Sequence, residues 1–470
     1  MEETSNGIFR VARFFSHLSQ MLFCYVVQLS VFTYGPKRPK RSRLFPHYVS
    51  KLNSFYLMHF INLQDYFMGM CKYLYVNYFL FMFKGRNMTK VLIVAATANM
   101  IMQFNMRNID MLQNMGYEVH VASNFMKCES IDQREMTNVI KSLEEKKVIW
   151  HHIDFERGFG TFSSNRRALI QLEEILQDSE NWDFVHTHSP LGGALGRIAA
   201  KKMGIRTIYT AHGFHFSKGG SLKNWTIFPI EFILSFFTNE LVVINKHDYK
   251  LAKKYFRTHI NYLPSVGTQV LDRMSVSSVE RLKNKARIRR ELNLSPNAFV
   301  FVSSGELNDN KNHGRIIEAM EYLPDHVHLL IAGVGQNYEK YQNQIKNLKL
   351  DKRIKLLGYR RDLQEIHHAC DAFIFPSLRE GLGMSGINAL VDGLYVIGSE
   401  TTNMCDYISN DDLGVLINPR SMEKIYTSMD RIVKNSVRPD LEKHLKKLSA
   451  FDTENVDATM LEIYKRQSSY

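Results

Sequence analysis

FPSLREGLGMSGINALVDG, residues 375–393, joins a short apolar run at 372–375 to a segment of helical character at 384–391. Gly381 and Gly383 stand at the junction. Without a Cβ the backbone there can approach a ligand closely, and a helix N-terminus turns free N–H groups and a positive dipole end toward an anion. Glu380 sets a carboxylate beside that point. The stretch therefore reads as a diphosphate site where a buried strand hands over to a helix. Ligands occupy such positions at the C-terminal strand ends of doubly wound α/β sheets.

The rest of the chain agrees with that reading. From residue 90 onward, short β-branched runs alternate with helical patterns, as in parallel βαβ units. Strands are expected at 91–95, 118–122, 148–153, 184–187, 206–210 and 241–244, with helices such as 163–176 and 191–202 between them. A second alternation begins at Ala298 with AFVFVSSG and continues through HVHLLIAG, RIKLLGY, AFIFPS and YVIGS. Strand signals lapse in the polar stretch after Tyr262-Leu263-Pro264, which marks a junction between two domains. A last helix is expected at 455–466. No internal repeat, heptad or low-complexity tract is present.

Six motifs occur in order: TKVLIVAAT, VHTHSPLGGALGRIAAKK, IYTAHGFHF, GELNDNKNH, LLGYRRD and the 375–393 stretch. Together they resemble the retaining glycosyltransferases of family 4 with the GT-B fold, in particular those of bacterial exopolysaccharide and capsule synthesis. The resemblance runs from about residue 88 to the C-terminus. It implies two Rossmann-like doubly wound domains facing across a cleft: an acceptor domain at 88–265 and a nucleotide-sugar domain at 266–435, with helices at 436–470 crossing back toward the first. Residues 1–87 form a separate N-terminal extension.

The resemblance also assigns roles. Lys311 matches the lysine that grips the donor diphosphate, and breaking a sugar–diphosphate bond needs fixed positive charge there. The family's Arg five positions earlier is Glu306 here, so Lys311 and the amides of Gly381, Leu382 and Gly383 carry more of that load. Glu380 accepts hydrogen bonds from donor-sugar hydroxyls. Asn388 stands where the family's second Glu holds the ribose, and its amide oxygen still accepts one hydrogen bond. The loop at 358–361, with Tyr359 and Arg360, holds the base; Arg360 or Arg361 also offers a charge to replace the one missing at 306, against the plainer reading of an exposed arginine. His212 is placed near the reacting sugar, and these three, His212, Glu380 and Lys311, form the catalytic set. On the acceptor side stand His188, Gly192, Gly193 and Lys218. His186 and His188 alternate about a strand end, so one of them faces the cleft. Gly192 and Gly193 either approach substrate or allow tight strand–helix packing. The aromatic and lysine-bearing stretch 214–232 suits a lipid-diphosphate acceptor at a bilayer, or else forms core.

No D-x-D triplet or cysteine cluster suggests a metal site, so the expectation is a metal-independent enzyme with no cofactor. The G-V-G at 333–335 lacks the third glycine of a dinucleotide fingerprint. With 470 residues, 45% of them hydrophobic, the chain can bury two cores. Its five cysteines form no C-x-x-C pair, which argues for a reducing compartment. The formal charge of +13 is uneven: residues 1–87 contribute +8 and hold 20 of the 55 aromatic residues with a single alanine, Ala12. That distribution argues against nucleic acid and for an anionic membrane surface. Residues 1–87 are either an interfacial anchor or a translated AT-rich extension ahead of a natural start at Met88. The expectation is an enzyme peripheral on the cytoplasmic face of the plasma membrane. It moves a hexose or N-acetylhexosamine, UDP-linked, to a lipid-linked saccharide. A UDP-sugar epimerase of the same fold and a non-catalytic nucleotide-sugar scaffold are the alternatives.

Overall fold

A computed structural model describes residues 88–468 apart from 128–132, 157, 179, 215 and 217–221. The N-terminal extension, His215 and Lys218 lie outside the described residues. Two parallel sheets organise the described chain. The first has seven strands in the order β3-β2-β1-β4-β5-β6-β7. Its strands are β1 Lys90–Thr97, β2 Glu118–Asn124, β3 Ile149–His152, β4 Trp182–His188, β5 Arg206–Ala211, β6 Glu240–Val243 and β7 His259–Tyr262. The second has six in the order β10-β9-β8-β11-β12-β13. These are β8 Phe299–Ser304, β9 Val327–Ala332, β10 Ile354–Gly358, β11 Ala372–Phe375, β12 Tyr395–Ser399 and β13 Gly414–Ile417. The expected α/β class with two doubly wound sheets is what forms.

Strand β1 shows why. Helices cover both faces of a parallel sheet, so its strands are apolar on both sides. Val91, Ile93 and Ala95 enter one core with Ile109, Leu112 and Val139, while Leu92 and Val94 enter the opposite one with Leu172, Leu195 and Ala199. The first of these cores also takes in Val456, Met460, Ile463 and Tyr464 from the helix Thr453–Gln467. Each such side chain, fully buried, contributes about 1.5–3 kcal/mol, so this helix is a structural part of the first sheet's domain although it follows the second in sequence. Its N-cap is Asp452, which accepts from the Glu454 N–H at 3.1 Å. Two backbone bonds tie the crossing chain to the inter-sheet linker: Thr268 N to Phe451 O, and Thr453 N to Thr268 O, both 3.0 Å.

Both sheets reverse strand order at their centres, between β1 and β4 and between β8 and β11. The loops leaving β4, β5, β8 and β11 carry the motifs read from the sequence. Strands β7 and β13 escaped the sequence reading. Each is a four-residue edge strand, and HINY and GVLI are too short to establish a period.

Candidate active site

The loop after β8 is stitched to the loop after β11, and its asparagines do the stitching. Asn308 Oδ1 accepts from Lys311 N at 3.1 Å. Asn310 O accepts from Leu378 N at 2.8 Å, and Asn310 Nδ2 donates to Arg379 O at 2.9 Å. Asn312, in the left-handed region at φ 62°, donates from Nδ2 to Pro376 O and Pro419 O. The result fixes Lys311: its Nζ donates to Glu380 Oε1 at 2.6 Å and lies 4.7 Å from the Phe375 ring centroid. The two side chains are 18% and 14% exposed, so a strong cation–carboxylate pair occupies the mouth of the strand-to-helix junction. Gly333 and Gly335 have a packing role here. A Cβ on either would strike the backbone of Gly305 or Leu307.

At the junction itself Gly383 is the left-handed N-cap of the helix Met384–Val391, with φ 81°. Among the described residues, no acceptor is bound by the N–H groups of Gly381, Leu382, Gly383 or Met384. Gly381 faces the first domain directly: a Cβ there would lie 1.8 Å from His212 O, and one on Gly213 would lie 2.5 Å from Gly381 Cα. The two glycines thus let the anion-binding loop and the His212 loop meet backbone to backbone.

His212 leaves the end of β5. Its Nε2 is 3.1 Å from His188 Nδ1, and Phe104 lies against its ring at 5.2 Å. Burial pulls the His212 pKa down to about 4, and it pulls His188 well below the usual range, with His186 and His212 adding to the effect. Both rings are therefore neutral at physiological pH. His188 Nε2 is buried without a protein partner. Of the two histidines on β4, His188 is the one that reaches His212. His186 is a structural residue, held at 2.8 Å by both Tyr464 and Thr210, and its pKa falls to about 3 through burial.

Several expected site residues have other occupations. Gly192 and Gly193 are packing glycines: a Cβ on Gly192 would meet Ala96 N at 2.9 Å, and one on Gly193 would meet the Tyr209 ring at 2.5 Å. Arg360 is paired with Asp362 and Glu291, and Arg361 with Glu135. Arg379, which the sequence reading passed over, sits beside Glu380 with an exposed side chain. Tyr359 packs against the core of the first domain. Asn388 Oδ1 accepts from the Thr268 hydroxyl, so one of its two lone pairs is already used. The aromatic stretch is divided: Phe214 and Phe216 are core, whereas Ile230, Ile233 and Phe236 on or just after the helix Phe228–Ser235 are each more than half exposed.

Sequence reasoning also missed Asn245 and Asn403, which both donate to Gly381 O at 2.9 Å. The signal for Asn245 was its place directly after an apolar strand and before a helix, the position of a cap.

Taken together, the loops at the C-terminal strand ends set a cation, a carboxylate and unpartnered amides opposite a neutral histidine pair. That arrangement can hold an anionic leaving group next to a hydroxyl-rich one. Comparison with known proteins points the same way. Residues 284–450 match the family model described as Glycosyl transferases group 1, and residues 106–258 match Glycosyltransferase Family 4. A Bacillus subtilis protein named putative glycosyltransferase EpsD is 30% identical over 70% of this chain and 84% of its own length. An Escherichia coli UDP-Gal:alpha-D-GlcNAc-diphosphoundecaprenol alpha-1,3-galactosyltransferase is 30% identical over 58% of this chain and 71% of its own. Among solved structures, Anabaena HepE in complex with UDP and glucose superposes with a TM-score of 0.62 at 17% identity, covering 80% of this chain and all of that one. Sucrose-phosphate synthase from Thermosynechococcus elongatus gives a TM-score of 0.63 at 14% identity, covering 80% and 98%.

Proposed function

The chain belongs to the family 4 glycosyltransferases of the GT-B fold, and from that premise we propose that it transfers a hexosyl or N-acetylhexosaminyl group from a UDP-linked donor to a lipid-linked saccharide in cell-surface polysaccharide synthesis. The observation that carries this reading is the Lys311–Glu380 pair at 2.6 Å beside the unpartnered amides of Gly381 to Met384. A cation and a set of aligned N–H groups suit the charge that develops on a departing diphosphate. Glu380 suits the hydroxyls of the donor sugar, since an ionised carboxylate accepts about twice as strongly as a neutral group. The UDP donor and the lipid diphosphate acceptor are supported by what the Escherichia coli relative's name states and by the UDP bound to HepE.

In the proposed reaction the bond from the sugar C1 to the β-phosphate oxygen breaks, and a bond from C1 to the acceptor oxygen forms on the same face. The acceptor proton passes to the departing phosphate. Lys311 and the 381–383 amides stabilise that phosphate, with no metal taking part. His212, neutral through burial, orients a sugar hydroxyl, and His188 holds His212 from behind. Asn388 and Thr268 together take the place of the family's ribose-binding Glu.

The membrane surface belongs to the same proposal. Ile230, Ile233 and Phe236 recur every three residues along one exposed helix face, which suits insertion into the headgroup region. No helix among the described residues is long and apolar enough to cross a membrane. The test is a donor screen: purified full-length protein, a panel of UDP-sugars and a lipid extract as acceptor. Sugar found on lipid, with UDP released only when acceptor is present, supports the proposal. Conversion of the donor without acceptor would place the chain with the epimerases instead.

A further inference from the structure

The diphosphate loop is oriented from the other domain. Asn245 follows β6, is fully buried, and caps the helix Lys246–Tyr255: its Oδ1 accepts from Asp248 N at 2.7 Å. A cap needs only that oxygen, and Ser, Thr or Asp would serve as well. What distinguishes Asn is its NH2 group, and both hydrogens are used. One goes to Asp248 Oδ2 at 2.8 Å, the other to Gly381 O at 2.9 Å. Asn403 Nδ2 donates to the same carbonyl, also at 2.9 Å, so both lone pairs of Gly381 O are occupied. In a planar trans peptide the N–H points opposite the C=O. Fixing Gly381 O therefore turns the Leu382 N–H away from the two asparagines, and that N–H has no acceptor among the described residues.

We infer that Asn245 is a positioning residue for the donor site, which aims the Leu382 N–H at the β-phosphate by holding the Gly381 carbonyl, and which can do so only while the two sheets' loops are in contact. The inference rests on the diphosphate site proposed above. Its dependence on closure follows from the neighbours. Gly213 and Gly381 touch backbone to backbone, and Lys246 N donates across the same boundary to Asp406 Oδ2 at 2.8 Å. Asp406 and Asn403 belong to one short turn, Asn403–Asp406. Opening the cleft would release all three contacts together and leave the Gly381 carbonyl held by Asn403 alone. Assembly of the diphosphate site is thereby coupled to domain closure.

UDP and UMP differ by the phosphate in question, so their binding separates positioning from mere stability. Asn245→Ser keeps a capping oxygen but is too short to reach Gly381 O. The expected result by calorimetry is UDP binding weakened about tenfold, the loss of one charge-assisted hydrogen bond, with UMP binding within about twofold of the parent. Asn403→Ser removes the carbonyl's other donor without touching the cap and should show the same UDP-specific loss. Either variant binding UDP like the parent, while the parent itself prefers UDP to UMP, overturns the inference and leaves the proposed function standing. Equal weakening of UDP and UMP would reduce Asn245 to a structural residue and overturn it too. A parent that does not prefer UDP to UMP would remove the diphosphate site and this inference with it.

Discussion

Replacing Lys311 by Met removes the charge while keeping the stem that lies over Gly305 and against Phe375. Lys311 is mostly shielded from water, and a unit charge about 4 Å from a phosphate oxygen is worth about 4 kcal/mol at an effective dielectric of about 20. The neighbouring amides offset part of that loss, so the expected cost is about 3 kcal/mol in transition-state stabilisation, close to a hundredfold in kcat/KM. A complication is that Lys311 also neutralises Glu380, only 14% exposed. Removing the lysine leaves that carboxylate uncompensated. The variant is therefore made in two backgrounds, native and Glu380→Gln, and initial rates of UDP release are measured with saturating acceptor. If Lys311 acts on the leaving phosphate, the loss stays near a hundredfold in both. Near-normal turnover in the native background, or a loss that shrinks to a few-fold in the Glu380→Gln background, would refute the assignment.

Activity should survive EDTA unchanged; abolition by EDTA with restoration by Mn2+ would contradict charge neutralisation by Lys311 and the amides. Asn388→Glu should tighten UDP binding by about 1 kcal/mol, roughly fivefold, because a carboxylate can serve the Thr268 hydroxyl and the ribose together; unchanged or weaker binding by calorimetry would mean that the pocket is built around Asn. Stability should fall in acid. Burial depresses His186 and His313 to about 3 and His212 to about 4, so the unfolded chain binds the extra protons below about pH 6.5, and stability present above that pH is lost as pH drops toward 4. At pH 5.5 the three together cost about 4 kcal/mol, which urea titrations at pH 7.5 and 5.5 would measure; equal midpoints would contradict it. Changing Ile230, Ile233 and Phe236 to Ser should abolish sedimentation with anionic lipid vesicles while leaving UDP affinity intact, and full vesicle binding by this variant would remove the helix from the membrane contact.

The sequence made the fold class legible because parallel strands buried on both faces announce themselves as short apolar runs; eleven of the thirteen strands were read in this way or from their place in the alternation, the edges β3 and β10 among them. The two it missed are edges, where neither length nor burial on both sides is required. Within the site, Lys311 and Glu380 were legible because a loop motif places them a fixed distance from a strand end, and the structure brings them within 2.6 Å. Other features depend on what a side chain meets at long range. Nothing local to Gly192 or Gly193 says that Tyr209 and Ala96 fill the space of a Cβ. Likewise Arg360 is claimed by Glu291, 69 positions away, and Asn388 by Thr268, 120 positions away. Asn245 was hidden for a related reason: its capping role is local, but the carbonyl it holds lies 136 residues further on.

A crystal structure of the protein with UDP bears most directly on the central claim. The β-phosphate is expected at the N-terminus of the helix Met384–Val391, within hydrogen-bonding distance of Lys311 Nζ and the Leu382 N–H, with the ribose toward Asn388. UDP bound elsewhere, or a β-phosphate turned to solvent with the Lys311–Glu380 pair undisturbed, would contradict it.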